Sequence, residues 1–408
     1  MWKCENVKML RFNLSVQGKV NLSHIRHINC ILHFHIFTFP HFHILKFTFA
    51  PQLSPMPNEM NYIDYLHLDQ ILNAQFPESD KQQKKAHDEM LFIVIHQAYE
   101  LWFKQLLYEV ESVNEIMQKP SLNDNSPELQ TVVHRLSRCT TILKVLVHQI
   151  DIMETMTPMD FLEFRDMLRP ASGFQSWQFK KLEAELGLKY EHRYGQEYYI
   201  SQLKQDQIDI IKKAEHEQSL LQLVNVWLER MPFFDEEINW RNFISENEDS
   251  EKNNKQYHKF WNEYRRRYGE SLAVEEKANY DLFDEVFIEN KTAPGTVRSL
   301  SPTACRAALF IMLYRGYPVL QLPFQLLTQL LEIDEQLSTW RYRHMNMVHR
   351  TIGKRIGTGG SSGRDYLRAA LDKHYIFKEI AQLTSFLIER SKLPSLSKEM
   401  ERRLGFAG

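Results

Sequence analysis

The sequence predicts an all-α protein, a single domain of long helices bundled around one buried site. Three observations predict it. Apolar residues recur at three- and four-residue steps over long stretches, as in Leu326, Leu330, Ile333 and Leu337, which is the spacing of one helix face. Helix starts are spelled out, with Thr157-Pro158-Met159-Asp160 placing Thr at the N-cap, Pro at N1 and Asp at N3. Beyond residue 55 no convincing period-two alternation marks a run of strands.

Composition narrows the function classes. With 43% hydrophobic and 25% charged residues the 408-residue chain has ordinary globular make-up. A formal net charge of −2 supplies no electrostatic reason for a nucleic-acid partner. The cysteines Cys4, Cys30, Cys139 and Cys305 form no CxxC and no CxxCH, against a zinc ribbon and against covalently attached haem. Sparse, unpatterned cysteine fits a reducing compartment, so a cytoplasmic location is expected.

Residues 1–55 differ from the rest. Ile31 to Pro51 alternates histidine with phenylalanine and isoleucine, a strand-like pattern with too many polar residues for a membrane span. We expect this segment to be disordered or an over-extended start, with the working domain at 56–408. Asn61 to Gln75 reads as a short amphipathic helix with Tyr62 and Tyr65 on one face. His87 to Gln118 reads as a helix with two apolar stripes, one of Leu91, Val94, Ile95, Ala98, Leu101 and Trp102, the other of Phe92, His96, Tyr99 and Phe103; such a helix is expected to be mostly buried. Pro120 to Pro127 is a polar connection, and Leu129 to Met156 is another long helix. The Thr157-capped helix carries Phe161 and Arg165 at i, i+4 and ends at Pro170.

Further on, Gln205 to Glu229 is expected to be helical. Ser245 to Lys255 is an acidic, asparagine-rich loop, and Tyr257 to Ile288 a charged helix whose Arg265–Arg267 run forms a solvated face. Ser301 caps a helix running to Tyr314. Pro323, at a first turn, opens a helix to about Ile352 that Gly353 and the GTGGSSG loop terminate. Asp365 to Arg390 is the last long helix, stopped by Pro394.

His344 is the candidate for chemistry. It lies four residues after Trp340 and seven after Leu337, on their inward face. Such a histidine is more often a core residue than a ligand, but an imidazole on a buried helix face is also a usual haem ligand. His349 sits roughly 140° further round the helix, so the two cannot serve one metal from one face. A di-iron bundle needs Glu-x-x-His pairs, and the chain has none. A facial triad usually sits on a β-scaffold, which the pattern does not show. The GTGGSSG run is neither a Walker nor a Rossmann loop, since no Lys-Ser/Thr follows and Ser362 replaces the third glycine.

Four motifs carry a family resemblance. WRYRH with GTGGSSG, FIVIH with QAYELWFKQ, FLEFR with PASGFQS, and LLQLVNVWLERMP resemble tryptophan 2,3-dioxygenases, over about Asn61 to Phe406. The resemblance implies non-covalent haem b, ferrous when active, with His344 as its axial ligand and Trp340, Ser172 and Gly173 beside it. It implies that Phe92, Ile93, Val94, Ile95, His96 and Phe161 line the substrate, with His96 facing the indole N–H. Arg165 would pair with the substrate carboxylate, and Thr358 would contact its ammonium group. Tyr62 and Tyr65 would come from a neighbouring subunit of a homotetramer. The implied reaction inserts both atoms of O2 across the indole C2–C3 bond of L-tryptophan to give N-formyl-L-kynurenine. No nucleic-acid or membrane partner is implied. Two alternatives stay open: a related haem enzyme acting on another aromatic amino acid, and a non-catalytic haem sensor.

Overall fold

The structure is a computed structural model that describes residues 60–193, 200–231, 233–234, 237–240, 243, 258–288, 298–355, 357 and 374–405. Two compact units divide at His67 and Leu68. In the smaller, the described residues form one short helix, α1 (Tyr62–Leu66), capped by the Asn61 side chain, which accepts from the Ile63 N–H. It stops at His67, whose φ of 48° is left-handed. The expected continuous helix from Asn61 to Gln75 is therefore broken.

The larger unit begins with the short helices α2 (Leu68–Leu72) and α3 (Glu78–Lys81). Long helices follow: α4 (Asp88–Met117) and α5 (Pro127–Met153), the latter capped by Ser126 with Pro127 at N1. Helix α6 (Pro158–Phe164) starts at the expected Thr157 cap, which closes a capping box: Thr157 Oγ1 accepts from the Asp160 N–H, and the Asp160 side chain accepts from the Thr157 N–H. The remaining helices are α7 (Trp177–Leu186), α8 (Gln205–His216), α9 (Leu220–Glu229), α10 (Lys259–Ser271), α11 (Ala278–Phe287), α12 (Pro302–Leu313), α13 (Pro318–Ile352), α14 (Lys378–Gln382) and α15 (Lys398–Arg403). Among the described residues there is no strand, so the all-α expectation holds.

Helix α5 packs between α4 and α13, and α7 packs on α4. Leu326, Leu330, Ile333 and Leu337 of α13 are all buried in the main core. Each such side chain contributes roughly 1.5–3 kcal/mol on burial. A second part of that core is aromatic, where Phe283 packs against Phe287 at 4.6 Å and Phe260 against Trp261 at 4.9 Å.

Several boundaries differ from expectation. Helix α13 begins at Pro318, not Pro323: the extended Tyr317 caps it, Pro318 takes N1, and Pro323 lies inside. Residues 205–229 split at Ser219, which makes its own capping box with Gln222. Residues 257–288 split between Ser271 and Ala278. The arginine run there is no solvated face: Arg265 forks onto Asp284 at 2.6 and 2.8 Å, and Arg266 and Arg267 converge on the buried Glu263. Of the expected helix 365–390, residues 365–373 lie outside the described residues. The rest holds α14, a 3-10 turn at Leu383–Phe386 and the start of another at Arg390–Lys392. The loop expected at 245–255 also lies outside them.

Candidate active site

Helices α4 and α13 enclose a cavity of about 320 Å³ in the larger unit, lined by aromatic rings and a few polar groups. His344 stands in its wall. Helix α13 brings it there because Leu337 and Trp340 anchor the same face. The His344 ring lies parallel to the Trp340 indole, centroids 5.3 Å apart and planes 4° apart. Trp340 is in turn held by Phe179 at 5.1 Å and edge-on by Tyr99 at 6.0 Å. Burial is the main influence on His344 and, with His96 nearby, drives its pKa down to about 4. The imidazole is therefore neutral, the form that binds metal. Its Nδ1 is buried with no hydrogen-bond partner among the described residues. His349 is exposed, as its angular offset requires.

The opposite wall comes from α4 and α6. The Phe92 ring lies 4.1 Å from the His96 ring and 5.8 Å from Phe161. His96 Nδ1 is 2.7 Å from the Phe92 carbonyl oxygen. A carbonyl only accepts, so Nδ1 carries the proton and a neutral ring has Nε2 as its acceptor. Desolvation is the largest influence on His96 and lowers its pKa, against the Phe92 carbonyl and Glu100.

Arg165 lines the cavity and is only 5% exposed. It opens a 3-10 turn, Arg165–Leu168, rather than continuing α6. Its Nη1 lies 3.3 Å from the exposed Asp166 carboxylate. Ser172 and Gly173 also line the cavity; Ser172 caps the turn Gly173–Gln175, and a Cβ built on Gly173 would meet no atom within 4 Å.

Of the FIVIH stretch, only Phe92 and His96 reach the cavity. Ile95 points into the protein, 4% exposed, and Val94 outward, 45% exposed. Ile93 is half-buried. An α-helix cannot aim five successive side chains at one cavity. The first apolar stripe of α4 is likewise not buried throughout, since Leu101 and Trp102 are exposed. Tyr62 and Tyr65 stand exposed on α1 of the smaller unit. Thr358 lies outside the described residues, next to Gly357, which lines the cavity.

One part of the wall was not anticipated. Glu183 of α7 accepts from Arg193 Nη1 at 2.6 Å and from Arg341 Nη2 at 2.6 Å, with His374 Nδ1 at 4.0 Å. Burial alone would raise the Glu183 pKa, but the two guanidinium groups and His374 outweigh it and bring it down to about 2. Lys180 lines the same wall, its pKa lowered to about 8 by burial and by Arg193. Arg341 was within reach of sequence reading, three residues from His344 on the same helix face. Glu183, Arg193 and His374 carry no local signal.

The cavity fits a haem. It presents one neutral imidazole, backed by an indole, in an aromatic enclosure, and haem iron needs only one such ligand. Among the described residues no three His, Cys, Asp or Glu side chains converge to hold a metal without it. Fold and cavity thus define a helical protein whose aromatic cavity holds one buried, neutral imidazole without a hydrogen-bond partner among the described residues, a buried arginine and a hydrogen-bond-accepting imidazole.

Sequence comparison narrows the class. Residues 52–387 match the family Tryptophan 2,3-dioxygenase, and the chain belongs to that family. It is similar to the tryptophan 2,3-dioxygenase of Bdellovibrio bacteriovorus, 43% identical over 374 residues that cover 85% of this chain and 98% of the relative. It is similar to that of Dictyostelium discoideum, 43% identical over 85% of this chain and 88% of the relative. The Rattus norvegicus protein of the same name is 41% identical over 82% of this chain and 84% of its own length.

Proposed function

We propose that this chain is a haem-dependent dioxygenase that converts L-tryptophan and O2 to N-formyl-L-kynurenine, the first step of tryptophan degradation by the kynurenine route. Family membership supports the reaction. The observation that carries the substrate assignment is a buried arginine, Arg165, in the same cavity as His344 and His96. Neither a haem sensor nor an enzyme for another aromatic amino acid is favoured, because the relatives above share the dioxygenase name.

His344 would hold the iron, with Trp340, Ser172 and Gly173 around the macrocycle and the cations Lys180, Arg193 and Arg341 on the wall for its carboxylates. When bound, the haem supplies the metal that lets triplet O2 react with a closed-shell indole. The residues of the chain do the rest. Arg165 offers its planar fork to the substrate carboxylate, a geometry an ammonium cannot copy. Thr358 takes the ammonium group, on the family resemblance. Phe92 and Phe161 enclose the indole and exclude water. His96 Nε2 accepts from the indole N–H. That hydrogen bond orients the indole in the cavity. Fixing the substrate in one orientation is the protein's main contribution.

A homotetramer in the cytoplasm is the proposed working form. The exposed Met90, Val94, Leu101 and Tyr108 on one side of α4 support self-association. No helix among the described residues is long and apolar enough to cross a membrane, and Cys139 and Cys305 are free thiols.

The test is the optical spectrum of the purified ferrous protein with and without L-tryptophan, followed by formylkynurenine absorbance. His344→Ala should lose the five-coordinate histidine spectrum, and His349→Ala should keep it. Equal behaviour of the two variants, or no product from the haem-loaded wild type, would overturn the reading.

A further inference from the structure

A second hollow forms where the end of α12, the start of α13 and residues 384–393 meet. It has two adjoining compartments, of about 430 and 440 Å³, which share Leu313, Arg315, Phe324, Arg390 and Leu393. It shares no lining residue with the His344 cavity, and no acidic side chain lines either compartment.

One compartment is aliphatic. Beyond the shared residues it adds Met312, Leu327, Leu331, Leu387 and Ile388. Its threonines spend their hydroxyls on backbone: Thr328 Oγ1 donates to the Phe324 carbonyl at 2.9 Å and Thr384 Oγ1 to the Ala381 carbonyl at 2.8 Å. At the junction of the compartments stand two cations. The Arg315 guanidinium lies over the Phe324 ring, 4.8 Å from its centroid, which restrains it. Arg390 opens the turn Arg390–Lys392. The chain after it is tied down, because Arg267 Nη1 donates to the Lys392 and Leu393 carbonyls at 3.2 and 3.3 Å, and the Tyr314 hydroxyl to the Pro394 carbonyl at 2.6 Å. Neither Arg315 nor Arg390 makes a hydrogen bond or ion pair among the described residues. Arg315 also stands just ahead of Pro318, the first residue of α13, and the N-terminal end of a helix dipole is positive. The result is a fixed positive field at the mouth of an aliphatic slot.

We propose that this hollow binds a monocarboxylate with a flexible aliphatic chain. The carboxylate sits between Arg315 and Arg390, whose planar forks match it. The chain lies in the compartment of Met312, Leu327, Leu331, Leu387 and Ile388, where its apolar surface leaves water. A compact anion such as phosphate would meet the arginines but leave the aliphatic walls wet. An aromatic acid would find one ring, Phe324, which Arg315 already covers. A neutral chain would fill the slot but forgo both cations. The site does not depend on the reaction assigned to the His344 cavity.

The test is calorimetric titration of the haem-loaded full chain with decanoate and, separately, with the neutral 1-decanol. Wild type should bind decanoate at least about tenfold more tightly than 1-decanol, a gap of about 1.4 kcal/mol. Added NaCl should weaken decanoate and leave 1-decanol in place, because the cations are exposed and screened by salt. The haem spectrum should not change on binding. The double variant Arg315→Gln/Arg390→Gln should hold decanoate no better than 1-decanol. Leu387→Asp, at a position 42% exposed, places a carboxylate in the slot. It should weaken decanoate by about tenfold or more, and it keeps the proposal testable if the double variant does not fold. Equal binding of decanoate and 1-decanol by wild type overturns the proposal, as does no binding of decanoate. So does a preference for decanoate that survives in the double variant or in Leu387→Asp, or decanoate binding that shifts the haem spectrum, since either result places the ligand elsewhere.

Discussion

Removing the Arg165 guanidinium is the sharpest perturbation of the proposed substrate site. Arg165 is 5% exposed and lines the same cavity as Phe92 and Phe161. A substrate carboxylate entering there gives up its water and recovers the loss only by pairing. The exposed Asp166 carboxylate lies 3.3 Å from the Arg165 guanidinium, and an ion pair with an exposed acid is weak competition. A charge-assisted hydrogen bond contributes roughly 1.5–3 kcal/mol, and each 1.36 kcal/mol is about a factor of ten in rate. Arg165→Ala should therefore lower kcat/KM for L-tryptophan by about tenfold to a hundredfold. Arg165→Lys should recover little, since the ammonium is a point charge and not a fork. Tryptamine lacks the carboxylate; it should be a poor substrate for wild type and should barely distinguish wild type from Arg165→Ala. The assay is formylkynurenine formation from L-tryptophan, and the corresponding ring-opened product from tryptamine, with haem content checked in each variant. If Arg165→Ala handles L-tryptophan like wild type, the carboxylate role is wrong. It is equally wrong if tryptamine loses as much as L-tryptophan on mutation.

Two further predictions concern stability. Glu183→Gln leaves Arg193 and Arg341 buried beside a neutral amide and should cost about 3–5 kcal/mol, the usual penalty for breaking a buried pair from one side; urea unfolding that differs from wild type by under about 1 kcal/mol would show that the cluster does not need its carboxylate. His258 caps α10 by accepting from the Phe260 N–H, and burial, then Lys259, lowers its pKa to about 4. A base whose folded pKa lies below its unfolded 6.5 stabilises fully above pH 6.5 and loses that share as the pH falls toward 4. Relative to His258→Asn, whose amide caps without titrating, the wild type should lose stability between pH 7 and pH 5; parallel unfolding curves for the two proteins would refute this.

Much of the fold was legible because helix physics is local. The core stripe of α13, the caps at Thr157 and Ser301 and the terminating Gly353 each depend on residues within one or two turns. The site was partly legible for the same reason. His344 and Trp340 share a helix face by spacing alone, as do Phe92 and His96. Which of these carry haem and substrate was suggested by family resemblance, and composition or periodicity alone left a core histidine the commoner outcome.

What only the tertiary structure decided involves partners far apart in the chain. Glu183 is joined to Arg341, 158 positions away, and no helical period announces such a pair. The arginines at 265–267 looked solvent-facing because a single helix face was assumed. The break after Ser271 folds α11 back and brings Asp284 to Arg265. Five residues of FIVIH matched a motif, yet the cavity receives two of their side chains, because helix geometry sends the others elsewhere. Sequence by itself determined that the protein is helical, where several helices are capped and the residue types available for chemistry, since those follow from near-neighbour sterics and hydrogen bonding. Tertiary packing decided which buried charges pair and which faces meet at the cavity. Those outcomes depend on desolvation and distance, and neither exists until distant segments come together.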